Sequence, residues 1–146
     1  MSAVTGVLHL AEPAAPFHAR PPTVVDCSVV AGLLFEEPWM AQAEASLLGR
    51  DLKAPYLMQS EIAHVALKKH RKGFEQVARS GLARFAGMQL ALLPVEPESV
   101  FELARRYEIS GYDACYLWLA SHLQCPLATF DDRLAAAARS HLGSLP

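Results

Sequence analysis

The sequence predicts an α/β domain in which helices cover both faces of a central parallel sheet. Short, continuous apolar runs of strand length recur along the chain, and stretches with apolar residues every three or four positions lie between them. That alternation calls for parallel strands joined by helical crossovers. The length of 146 residues suits one domain with a core large enough to stand without metal or disulfide staples.

Residues 1–22 carry Pro13, Pro16, Pro21 and Pro22 with little periodicity. They read as a flexible leader, and the folded domain is expected over residues 23–146. Thr23-Val-Val forms a buried strand that meets Asp26 and turns into a helix through residues 33–35. Pro38 suits the first turn of a second helix over 39–48, with Gly49 as its stop. A short strand or turn is expected around 54–57. Met58, Ile62, Val65 and Ala66 then recur at helical spacing across 58–70. Residues 74–85 form a further helix ended by Gly87, and 90–95 a buried strand that contains Pro94. Helices follow over 97–107, with Pro97 at the start, and over 110–123, with an almost wholly apolar body. Residues 126–130 are the last strand and 132–140 an Ala-rich closing helix. One helix pair, near 97–123, interrupts the alternation.

A formal net charge of −2 and a pI near 6.3 exclude a global attraction for phosphate. The local basic run Lys68, Lys69, His70, Arg71 and Lys72 is the candidate for such contacts, although cations also suit a helix C-terminus. Cys27, Cys115 and Cys125 are odd in number and lack ligand spacing, which fits reduced thiols in a cytoplasmic protein. No apolar stretch approaches a bilayer span, and the first twenty residues have no basic segment leading into an apolar run.

Four acids stand out by placement. Asp26 ends the first strand and Asp131 the last, while Glu61 and Asp113 fall in first turns of helices packed against the same edge. Each alone has an ordinary explanation as a cap or turn residue, and Ser110-x-x-Asp113 has the form of a capping box. Capping does not explain why Glu61 and Asp113 also border apolar faces, where a carboxylate is costly unless paired or metal-bound. Convergence at the carboxyl ends of parallel strands, where such sheets bind ligands, would be relieved by a hard divalent cation such as Mg²⁺ or Mn²⁺. Zinc fits less well, since no His/Cys cluster is present. His64, one helical turn after Glu61, reads as structural.

Val24-Val-Asp26-Cys-Ser28, Ser60-Glu61-Ile-Ala, Tyr112-Asp113-Ala-Cys-Tyr-Leu-Trp-Leu-Ala120 and Leu127-Ala-Thr-Phe-Asp131-Asp-Arg-Leu134 together resemble the four blocks of PIN domains, especially VapC-type toxins. The resemblance spans Thr23 to the C-terminus. It implies a three-layer α/β/α fold, metal-dependent cleavage of RNA, a homodimer and a cognate antitoxin. The metal-site and catalytic acids would be Asp26, Glu61, Asp113 and Asp131, with Ser28 and Thr129 orienting carboxylates or water. Asp132 could substitute for Asp131 or assist it. Bound metal would lower the pKa of a water for in-line attack on phosphorus. Cys27 and the long leader depart from the pattern, and residues 71–95 carry no diagnostic motif, so substrate choice is not legible.

A haloacid-dehalogenase phosphatase wants a second Asp where Ser28 stands, and a receiver domain wants a Lys at a late strand end. A binding module whose acids engage a basic partner is the remaining alternative. Phe35, Trp39, Met40, Leu47 and Leu48 offer more apolar surface than one helix pair needs to bury, which predicts a homodimer interface there.

Overall fold

The computed structural model describes residues 20–143. The leader expected over 1–22 therefore lies outside the described residues, except for its last three. The chain runs through β1 (Pro22–Val25), α1 (Cys27–Leu34), α2 (Met40–Leu47), β2 (Asp51–Pro55), α3 (Leu57–Arg71), α4 (Glu75–Ala86), β3 (Ala91–Leu93), α5 (Pro97–Tyr107), α6 (Gly111–Leu123), β4 (Leu127–Ala128) and α7 (Asp132–Leu142). All strand pairs are parallel, in the order β3-β2-β1-β4.

β1 is interior, with Thr23, Val24 and Val25 all buried, as a continuous β-branched run requires in a sheet covered on both faces. Every crossover, not only the last, carries two helices. α1, α3 and α4 pack together, with α2 against α1, and α6 lies over β1 and β2 beside α5 and α7. The first two crossovers step one way across the sheet and the third steps back past β1. Right-handed crossovers running in opposite directions must occupy opposite faces, which produces the three-layer arrangement. α6 is buried through Ala114, Tyr116, Leu117, Leu119 and Ala120, in keeping with its nearly uninterrupted apolar body.

Several boundaries differ from expectation for physical reasons. β2 begins at Asp51, ahead of the expected 54–57, because Leu52 and Ala54 face the core while the charged Asp51 and Lys53 pair with each other at 3.1 Å. β3 is an edge strand of three half-buried residues that stops before Pro94 rather than a buried strand. α2 starts at Met40, and Pro38 lies in the preceding turn. Gly49 follows α2 at a φ of +72°, the left-handed conformation glycine adopts without strain.

The apolar surplus assigned to residues 33–48 is largely absorbed within the chain. Phe35 is 1% exposed, seated on Gly81 of α4, where an added Cβ would stand 2.3 Å from its ring and 3.0 Å from the Leu34 carbonyl oxygen. Trp39 packs on Gly32 in the same manner. Phe35 is thus unavailable to a second copy, while Met40 and Leu48 remain exposed.

Gly81→Ala should lower the melting temperature. Overpacking costs about 1–3 kcal/mol, more than the helix-propensity gain of about 1 kcal/mol. Gly111→Ala, with no atom within 4 Å of the new methyl, should leave it level or raise it. Thermal unfolding of the two variants checks the α1–α4 packing directly.

Candidate active site

The sheet order reverses at β1, so a crevice forms outside the carboxyl ends of β1 and β4, the usual ligand position in open parallel sheets. Asp26 follows β1 there and is 5% exposed. It caps α1, accepting from Val29 N at 3.2 Å, and the Ser28 hydroxyl donates to the same oxygen at 2.6 Å. The Thr129 hydroxyl donates to its other oxygen at 2.5 Å. Both hydroxyls are used twice: Ser28 Oγ also accepts from Phe130 N, and Thr129 Oγ1 from Asp131 N, each at 2.9 Å.

Asp131 caps α7 through Leu134 N at 2.8 Å. Asp113 lies in the first turn of α6, where Ser110 is the cap and accepts from Asp113 N at 3.0 Å. Capping and placement at the crevice therefore coincide. Glu61 lies in the second turn of α3, not the first. Its Oε1 accepts from the Tyr116 hydroxyl at 2.5 Å. Tyr116 is itself 1% exposed. A buried phenol needs an acceptor, and that requirement was the signal available.

The acids act on one another. Burial raises the Asp26 carboxyl above its ordinary value, with Asp113 adding to the rise, while the hydroxyls of Ser28 and Thr129 and the Val29 N–H pull it back. Burial also raises Glu61, with further rises from Asp26 and Asp113 against the Tyr116 hydrogen bond. Asp113 is raised by burial and then by Asp131, and held down partly by Ser110 and Arg133. The four acids thus form one electrostatic group. Among the described residues, no three His, Cys, Asp or Glu side chains stand together as a ready-made metal shell.

The donor chemistry nevertheless suits a hard divalent ion. Cys27 is pushed up to about 12 by burial, Glu61 and Asp26, and Cys115 is raised by burial and Glu61. Both thiols stay protonated, so the available anionic donors are carboxylate oxygens. Asp132 opens α7 from an exposed position, and His64 is exposed. The basic run ends α3, with Lys68 starting roughly 10 Å along the axis from Glu61. Lys69 is already paired with Glu37 at 2.8 Å, while the charge of Lys68 reaches Cys27. No helix among the described residues is long and apolar enough to cross a membrane.

Comparison with known proteins agrees with this architecture. Ribonuclease VapC1 of Mycobacterium tuberculosis (strain CDC 1551 / Oshkosh) is 32% identical over 119 residues, which span 78% of this chain and 89% of that protein. The crystal structure of PAE2754 from Pyrobaculum aerophilum shares the fold, with a TM-score of 0.62 at 19% identity over 84% of this chain and 93% of its own. The PIN domain profile matches residues 23–140, from the first residues of β1 into α7. With the reversed parallel sheet and the acids at its switch point, these matches show that the chain belongs to the PIN domain family.

Proposed function

We propose that this protein is a metal-dependent endoribonuclease that hydrolyses RNA phosphodiester bonds, with Asp26, Glu61, Asp113 and Asp131 holding Mg²⁺ or Mn²⁺. The observation that carries the reading is a group of carboxyls around one crevice, Asp26 buried and Glu61 and Asp113 half-buried, each raised first by burial and then by a neighbouring acid, with Arg133 partly offsetting Asp113. A group of carboxylates that raise one another's protonation is relieved by a multivalent oxygen-seeking ion. Similarity to a curated ribonuclease supports RNA as the substrate. Such an ion, when bound, would supply Lewis acidity and activate a water for attack on phosphorus.

The chain's own groups prepare that site. Ser28 and Thr129 fix both oxygens of Asp26, leaving their remaining lone pairs aimed by the fold rather than by solvent. Tyr116 occupies one oxygen of Glu61, so the other is left to face the crevice or a water. The electrostatic contact of Asp131 with Asp113 supports Asp131 over Asp132 as the fourth acid.

From the VapC-type resemblance we further infer a cytoplasmic toxin restrained by a cognate antitoxin and acting as a homodimer, with the residues before β1 as a leader outside the nuclease domain. Co-expression with an antitoxin, expected to be encoded beside this chain, should abolish the chain's inhibition of growth. Equal inhibition with and without it, or none in either case, counts against the toxin reading.

Asp26→Asn and Asp113→Asn should each abolish metal-dependent RNA cleavage. Asp113 lies in a helix turn capped by Ser110, so Asn there removes a charge repelled by Asp131 without removing a cap. Apo Asp113→Asn should therefore melt level with or above the wild type, and the Mg²⁺-induced rise in melting temperature should shrink in both variants. Variants that still cleave RNA and keep the full metal shift would show that these acids only cap helices.

The pH dependence has a definite sign. Carboxyls raised in the folded state contribute stability that is present below the ordinary carboxylate range and lost as pH rises through their folded values. Relative to Asp113→Asn, the metal-free wild type should lose melting temperature from about pH 4 upward, and Mg²⁺ should remove most of that difference. Parallel melting curves across this range would refute mutual repulsion.

A further inference from the structure

Exposed aromatic rings flank the acids. Tyr112, 67% exposed, immediately precedes Asp113, and Phe130, 38% exposed, immediately precedes Asp131. Single exposed rings are common on protein surfaces and need no function. Phe130 differs in how it is mounted. Its N–H is held by Ser28 Oγ, the hydroxyl that also donates to Asp26. The Trp39 indole N–H donates to the Ser28 carbonyl at 3.0 Å. The Trp39 and Phe130 rings then meet with centroids 6.0 Å apart and planes tilted by 49°. One residue thus ties an aromatic pair rigidly to the most buried acid of the site.

A cavity of about 960 Å³ opens at Thr129 and Phe130 and runs along the unpaired edge of β4 between α2 and α7. Leu127, Ala135 and Leu142 give it apolar walls, and Gln42, Thr129 and Arg139 are its polar members. Thr129, which lines this cavity, is also the residue whose hydroxyl donates to Asp26.

We propose that Phe130, backed by Trp39, is a stacking seat for an unpaired RNA base beside the scissile phosphate, and that the next nucleotide enters the β4-edge cavity toward Arg139. This rests on the nuclease reading of the acid site. The formal net charge of −2 gives no global attraction for phosphate, and Lys69 of the basic run is engaged with Glu37. Stacking supplies affinity without such attraction, since every base has a π-face. A base inside a duplex has both faces covered, so the seat selects an unstacked one. Arg139 provides the charge complementarity that the apolar walls lack.

The test uses the full chain carrying Trp118→Phe, which leaves Trp39 as the remaining tryptophan. A single-stranded RNA heptamer is titrated in Ca²⁺ to neutralise the acids. Trp39 fluorescence should be quenched by the heptamer and not by an abasic heptamer of equal charge. Phe130→Ala should weaken binding about 10-fold, Phe130→Tyr should restore it, and Phe130→Leu should not. Arg139→Gln should weaken binding and flatten its salt dependence. Unchanged heptamer affinity in Phe130→Ala overturns the seat, whether or not a co-purifying protein partner is lost. Equal binding by Phe130→Leu does so as well, because an apolar contact would then suffice. Quenching without cleavage in Mg²⁺ or Mn²⁺ would remove the nuclease reading and leave the seat. Cleavage with unaltered KM in Phe130→Ala would do the reverse.

Discussion

A carboxylate at 5% exposure must satisfy its oxygens within the protein, and Asp26 does so with Ser28, Val29 and Thr129. Those bonds join the first strand–helix turn to the loop after the last strand, 103 residues away in sequence. The second bonds of the same hydroxyls, to the amides of Phe130 and Asp131, set the entry to α7 and the direction of its capping acid. Removing the carboxylate would leave two half-buried hydroxyls and an amide to find new partners, each at about 1–3 kcal/mol if none is found. The order of the site and the attachment of β4 to β1 are therefore one problem with one solution.

Helix capping and metal binding ask for the same residue types, and on the proposed reading one set of side chains would serve both. Asp26 and Asp131 are each drawn to a helix N-terminus by orphan amides, and that attraction holds the negative charges near one another despite their repulsion. Asp113 shares the effect through the first turn of α6. Glu61 sits a turn deeper and lacks such help, and a buried tyrosine hydroxyl takes the place of the helix terminus. Preorganisation thus comes from secondary structure for three acids and from one side chain for the fourth.

Much of this was legible in the sequence because period and burial agree there. The Val-Val run before Asp26, the Pro97 start of α5 and the apolar body of α6 each admit one reading, and the helices form where they were expected. β2 was misplaced because its exposed Asp51 and Lys53 hide a two-residue alternation, and the burial of Phe35 depended on a glycine 46 positions later. No local pattern announces that Gly81 leaves room for a ring. The four acids could be listed from motif order, but the Tyr116 bond and the aromatic mount on Ser28 require knowing which side chains meet across the sheet edge.

The reversed strand order also bears on when activity can arise during synthesis. Asp26 lies at the start of the domain, yet Thr129 and Asp131 belong to its final strand–helix unit, and β4 is a two-residue strand whose partner is β1. A nascent chain that has made everything through α6 already carries three of the acids, while the clamp on Asp26 is missing. On the nuclease reading, the acid site is incomplete until the last segment closes the sheet, so cleavage would begin only after the final strand–helix unit has formed.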